Sequence, residues 1–103
     1  MDNKKQKVLL ELSKLNARRS LNGYRYIIEA ICIYIDSPVC NITKDIYPVV
    51  AELFDTTAAR VERAIRHLIS TLDPKLQYNN KEFIARIAEK IWLQEDFNNN
   101  ENF

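Results

Sequence analysis

Apolar positions recur at helical spacing along almost the whole chain, and polar runs break that rhythm into segments. Val8, Leu12 and Leu15 form one stripe with lysines outside it, predicting a helix over 3–16 that ends near Asn16. In the stretch 24–35, Tyr26, Ile27, Ile28, Ile31, Ile33, Tyr34 and Ile35 wrap nearly the whole circumference, as a central buried helix would. Propensity alone favours a strand there, because β-branched and aromatic residues dominate. Ile42, Ile46, Val49, Val50 and Leu53 predict a helix over about 43–54, and Val61, Ile65, Leu68 and Leu72 another over about 58–72. Ile84, Ile87, Ala88 and Ile91 face inward on a last helix over about 81–95, with Trp92 packing at the stripe's edge. The pattern predicts an all-α fold, a compact bundle of about five helices, over residues 1–96.

The third and fourth segments have the spacing of a helix-turn-helix spanning about 43–72. Ala51 is small where two crossing helices must approach, and Val61 follows ten residues later, pointing back into the core. Asp55-Thr56-Thr57 supplies a short polar turn, and either threonine can cap the second helix. Asp55 stands where glycine is common, so the turn must adopt a conformation that Asp tolerates. Pro48 adds a second constraint. A helix starting at Thr43 or Lys44 would lose a hydrogen bond to it, whereas a start at Asp45 places it harmlessly in the first turn.

The outward face of the fourth segment carries the candidate chemistry. At 100° per residue the four core positions fall within roughly 60° of one another, and Ala59, Arg63, Arg66 and Ser70 lie opposite. Arg60 and His67 line one flank and Glu62 the other. Arginine matches the O6/N7 edge of guanine, and a carboxylate can accept from cytosine N4, so a helix of this kind suits the major groove of DNA. Two plainer readings stand beside this one: a solvated charged face, and an ordinary i,i+4 salt bridge between Glu62 and Arg66. For His67 a contact to phosphate or a base edge stands against a surface histidine without a role.

Composition refines the picture only slightly. Fifteen Lys and Arg against 14 acids leave a net charge of +1, so bulk charge gives no support to a nucleic-acid partner and only its distribution does. Residues 1–25 hold seven cations against Asp2 and Glu11, while residues 81–103 hold three against five acids. The paired Arg18 and Arg19 in the first connector are read either as phosphate contacts or as a solvated loop. Leu72-Asp73-Pro74 ends the fourth segment. The Asn-rich end, 97–103, has the composition of a disordered tail. Cys32 and Cys40 have no metal-ligand spacing; reduced thiols are expected, with a Cys32–Cys40 bridge as the alternative. A single His, no Gly-rich phosphate loop and no nucleophile beside a base argue against an enzyme, so no catalytic, cofactor or metal site is assigned. The longest apolar run is too short to span a bilayer and no leader is evident, so a cytoplasmic protein without membrane contact is expected.

Several blocks resemble a known family. Ile42-Thr43-Lys44, Tyr47-Pro48, Thr56-Thr57-Ala58 and Arg60-Val61-Glu62-Arg63-Ala64-Ile65-Arg66-His67 closely resemble the C-terminal DNA-binding domain of stage-zero sporulation protein A, the response regulator that commits endospore-forming bacteria to sporulation. Gly23-Tyr24, Tyr26 and Glu29-Ala30-Ile31 resemble that domain's second helix. Glu82-Phe83-Ile84-Ala85, Ala88 and Lys90 resemble its last. The resemblance runs from about Leu12 to Gln94 and favours helix over strand for 24–35. Two departures are evident: Arg18-Arg19 replace a more apolar stretch, and the link after Pro74 is shorter than the family's.

The resemblance implies a sequence-specific transcriptional regulator bound to double-stranded DNA at a TGTCGAA-like box. Arg60, Glu62 and Arg63 would contact bases, and Lys44, Thr56, Thr57, Arg66 and His67 the backbone. It also implies a homodimer or tandem copies on DNA, with RNA polymerase or a related full-length regulator as further partners. The family's receiver domain is not in this sequence. An excised domain and a stand-alone paralogue are the two explanations, and the Met1-Asp2-Asn3-Lys4 start leans toward the second. The competing class is a protein-interaction module that pairs with a full-length regulator and modulates it.

Overall fold

The computed structural model describes residues 3–38 and 40–101, with side chains described through Glu95. Five α-helices carry the fold: α1 (Asn3–Lys14), α2 (Asn22–Asp36), α3 (Tyr47–Leu53), α4 (Ala58–Ser70) and α5 (Asn80–Glu101). One π-type turn, Ile42–Ile46, leads into α3, and one 3₁₀ turn, Pro74–Leu76, sits between α4 and α5. No strand occurs among the described residues.

The segment whose propensity favours a strand is α2, and burial explains why. Tyr24, Tyr26, Ile27, Ile28, Ala30, Ile31 and Cys32 are all buried, and α2 packs against every other α-helix. A helix with apolar residues on most of its circumference finds partners on all sides only at the centre of a bundle, and tertiary packing overrides propensity there. The fully buried side chains Val8, Leu12, Ile27, Ile31, Val50, Val61, Ile65, Ile84 and Ile91 join all five helices in one core. No disulfide joins the two cysteines: Cys32 lies in this core and Cys40 half-buried beside it.

α1 ends at Lys14 rather than near Asn16 and α2 spans 22–36 rather than 24–35, and three further helix limits differ from those predicted for reasons the structure supplies. The helix before the turn begins at Tyr47 rather than at 43, because residues 42–46 form the wider turn, in which the Tyr47 N–H donates to the Ile42 carbonyl. That arrangement places Pro48 in the first turn of α3, where its missing N–H costs little. The Asn41 side chain accepts from the Lys44 N–H at 3.0 Å, and the Asn41 N–H donates to Asp45 Oδ2 at 2.7 Å, fixing the entry. The fourth segment, α4, stops at Ser70 rather than 72, although Leu72 stays buried. Gln77 Nε2 donates to the Ser70 and Leu72 carbonyls at 3.2 Å each, satisfying acceptors that the helix end leaves open. Finally, α5 runs through Glu101, where composition predicts a helix ending near 95 and a tail without structure from 97. No Gly or Pro follows Pro74, so nothing in the sequence stops the helix, and Asn disfavours helix only mildly. Residues 102 and 103 of that tail lie outside the described residues.

Among the described residues Asn16 (φ 58°) and Asp55 (φ 53°) occupy the left-handed region, and both close helices in the same way. After α1 the Ala17 N–H donates to the Leu12 carbonyl at 3.2 Å. After α3 the Thr56 N–H donates to the Ala51 carbonyl at 2.9 Å. These are Schellman closures with Asn and Asp in the place glycine usually takes, residues whose short polar side chains tolerate positive φ.

Surface charge ties α1 to its neighbours. Lys5 pairs with Glu29 at 2.8 Å on α2, and Lys7 with Glu95 at 3.0 Å on α5. Glu11 is buried between α1 and α5, accepting from Lys14 at 2.9 Å and from Gln94 at 3.1 Å. Burial alone would raise its pKa, but these two hydrogen bonds, with the charges of Lys14 and Lys90, outweigh it and hold the carboxyl below its ordinary value.

Candidate nucleic-acid interface

The α3–α4 pair forms the helix-turn-helix. Thr57 is the residue that caps α4: its backbone is extended, and its Oγ1 accepts from the Arg60 N–H at 3.2 Å. Thr56 is half-buried in the turn, its N–H committed to the Ala51 carbonyl. Val61, Ile65, Leu68 and Ile69 bury the inner stripe of α4, which leaves the helix no freedom to roll about its axis.

The opposite face is open. Ala59, Arg60, Arg63, Arg66, His67 and Ser70 are all exposed. Arg60 and Arg63 form no side-chain hydrogen bond or ion pair with other described residues. Two cations left unpaired on a rigid helix are available to an external acceptor without breaking an internal interaction. Glu62, in contrast, pairs with Arg66 four residues on, the helix salt bridge that its spacing allows. The Ser70 hydroxyl donates to the His67 carbonyl at 2.6 Å, so the C-terminal turn of the face is partly self-satisfied. Lys44 is exposed in the turn before α3, its backbone engaged with Asn41.

Three devices that set the attitude of α4 carry no clear signal in the sequence pattern. The first is Gly23. A Cβ there would lie 2.2 Å from the Ala64 carbonyl oxygen and 3.1 Å from the Leu68 Cβ, so α2 crosses α4 backbone to backbone. Gly23 is the chain's only glycine, and its place inside a helix is the available hint. The second is Asn80, buried at the start of α5, whose Nδ2 donates to the Glu62 carbonyl at 2.9 Å. Beside it Tyr47 is buried; burial chiefly, and the Glu62 charge, raise its phenol above the usual pKa, while Asn80 and Arg66 act in the other direction. The third is Arg25, whose guanidinium lies 5.5 Å over the ring of Phe54, the residue that closes α3; Phe54 in turn stacks on Tyr26 at 5.2 Å.

Thr43, Tyr47, Glu62, Arg66, Tyr78, Asn79, Asn80 and Lys81 line an open groove beside the face. On the far side of α5 a second groove is floored by Leu15, Leu76, Tyr78, Phe83, Ile87 and Leu93. Among the described residues no group of His, Cys, Asp and Glu is arranged to hold a metal ion, and no helix is long and apolar enough to cross a membrane.

Residues 8–75 match the family described as sporulation initiation factor Spo0A C terminal. The match takes in the latter part of α1, the central helix and the whole helix-turn-helix, and ends within the 3₁₀ turn before α5. A buried central helix, a capped helix pair with an arginine-rich outer face, and a match over about two thirds of the chain lead to one conclusion: this protein belongs to the Spo0A C-terminal family of helical DNA-binding effector domains.

Proposed function

We propose that the chain is a sequence-specific double-stranded DNA-binding regulator of transcription, with α4 seated in the major groove. The observation that carries this reading is the pair Arg60 and Arg63, exposed and unpaired on a helix whose opposite stripe is locked in the core. Each is a candidate for bidentate contact with guanine, about 1–3 kcal/mol of discrimination per good pair. Glu62 orients Arg66 or accepts from a cytosine, and its ion pair favours the first role. Arg66, His67, Lys44, Thr56 and Thr57 hold phosphates, which positions the helix without reading sequence. Thr57 retains a hydroxyl proton to donate, since its cap uses only the oxygen as an acceptor. The resemblance of the α4 block to the family supports a TGTCGAA-like box as the target, and tandem or dimeric binding would offset the weak grip of one small module. No chemistry beyond binding is assigned, and the site of action is the cytoplasm.

A salt titration against duplexes with the box and with a scrambled sequence tests this. Tighter binding to the box that persists at physiological salt supports base readout. Equal affinities that vanish together as salt rises would mean phosphate attraction alone.

A second reading is kept by the groove along α5, whose lining, Leu15 apart, lies beyond the family match. An interaction module would pair there with a related full-length regulator or with RNA polymerase. The double change Arg60→Ala with Arg63→Ala separates the two: DNA readout collapses under it, whereas pairing through α5 survives.

A further inference from the structure

The stretch from Leu12 to Ile28 holds Lys14, Arg18, Arg19 and Arg25 and not one acidic residue, in a chain whose 15 cations and 14 acids nearly balance. Lys14 is committed to Glu11. Arg18, Arg19 and Arg25 are exposed and form no ion pair among the described residues.

Their position follows from the Gly23 contact. Gly23 abuts the Ala64 carbonyl and the Leu68 Cβ, so the start of α2 runs along the flank of α4 that carries Ala64. On a helix the neighbours of position 64 on that flank are positions 60 and 67, four before and three after. These are Arg60 and His67, at the edge of the outward face. The connector with Arg18 and Arg19 feeds directly into this end of α2, its Arg18 carbonyl accepting from the Leu21 N–H at 3.3 Å. Arg25 stands one turn into α2, laid over Phe54 just before the turn that starts α4. A guanidinium held over an aromatic ring by cation–π attraction still has N–H groups to donate, which suits it to a phosphate. A helix lying in the major groove is bordered on both sides by phosphate backbone, so this flank must face one of the two strands.

We propose that Arg18, Arg19 and Arg25 form a phosphate-binding edge beside α4, gripping the DNA strand that borders the Arg60–His67 flank. This rests on the reading that α4 enters the major groove. The edge supplies affinity and register and leaves sequence preference to Arg60 and Arg63. It also explains how a domain with a net charge of +1 can hold a polyanion: three unpaired arginines lie on one side of the reading helix, while α5 carries five acids against three cations.

The test is fluorescence anisotropy of labelled duplexes, box and scrambled, across a salt series, with wild type, Arg18→Gln/Arg19→Gln, Arg25→Gln, Arg25→Lys and Arg63→Ala. Each phosphate that is no longer neutralised lowers the slope of log affinity against log salt by about 0.9. The edge predicts that reduction for Arg25→Gln, a reduction equivalent to one or two phosphates for the connector pair, an unchanged ratio of box to scrambled affinity for both, and recovery of slope in Arg25→Lys. The connector pair sits on exposed loop surface, so it reports even if Arg25→Gln loosens the Phe54 stack. Wild-type slopes in both glutamine variants, with Arg63→Ala still abolishing the preference for the box, overturn the edge and leave the major-groove reading intact. A changed ratio without a changed slope also overturns it, since these residues would then read bases. A wild type that binds neither duplex removes both proposals together.

Discussion

Gly23 and Ala64 meet main chain to main chain: a methyl group on the first would stand 2.2 Å from the carbonyl oxygen of the second. No side chain intervenes, so the contact has no flexible part that could yield. Gly23→Ala should therefore destabilise the fold although alanine is the better helix former. The helix preference gains about 0.5–1 kcal/mol, and overpacking costs about 1–3 kcal/mol or more. Chemical denaturation should show a lower midpoint, and DNA affinity should fall more than stability alone explains, because α4 must shift to make room.

Asp55 closes α3 at φ 53° with its carboxylate exposed. Asp55→Gly removes the cost of a side chain in the left-handed region and should raise the thermal midpoint modestly, by the equivalent of a few tenths to about 1 kcal/mol. Asp55→Val should lower it, since a β-branched residue fits that region poorly. A scan in which valine and glycine behave alike would contradict the Schellman closure.

Asn80 joins the first turn of α5 to the Glu62 carbonyl from a buried position. Asn80→Ala leaves that bond unmade and should cost about 1–3 kcal/mol. Asn80→Asp should cost more at neutral pH, because a buried carboxylate would face a carbonyl oxygen and the Glu62 carboxylate. Paired denaturation curves at pH 4 and pH 7 read the difference, which should narrow as the aspartate protonates.

Glu11 gives the fold an acid-sensitive tie. Its pKa in the folded state lies below the ordinary value, so the ionised form is favoured by folding. The stability it contributes is present above its unfolded pKa and is lost as pH falls through the folded one. Glu11→Gln should flatten the stability profile in the acidic range while leaving the neutral-pH profile parallel to that of the wild type. Urea midpoints from pH 3 to pH 7 measure it; two profiles of the same steepness would count against the tie.

Much of this architecture can be read from the residues themselves, and the exceptions share a cause. The stripe Val61, Ile65, Leu68 identifies α4 because its outer face is as polar as its inner face is apolar, and Thr57 and Asp55 mark its entry. The family resemblance carries α2, where periodicity is erased by burial on all sides and Ile and Tyr favour a strand. The π-type turn at 42–46 has no pattern of its own; it results from fitting Pro48 to a helix that must start beside the core. The end of α5 is not legible, because stopping a helix needs a signal and none exists there. Within the interface, the Arg face is legible from spacing, and so is the i,i+4 pairing of Glu62 with Arg66 as one of its two readings. The Asn80 bond and the stacking of Arg25 on Phe54 are not, since each joins elements distant in sequence and depends on crossing angles that no local pattern encodes.

The brevity of α3 bears on the order in which the molecule assembles. Seven residues with a proline in the first turn cannot sustain a helix alone, because nucleation outweighs the few hydrogen bonds gained. Only contact with a preformed α2–α4 surface makes Tyr47, Val50 and Ala51 worth burying. The turn that distinguishes this motif is thus expected late on the folding path, completed after α4 has docked on α2. Kinetic φ-values should be high at Ile27 and Ile65 and near zero at Val50.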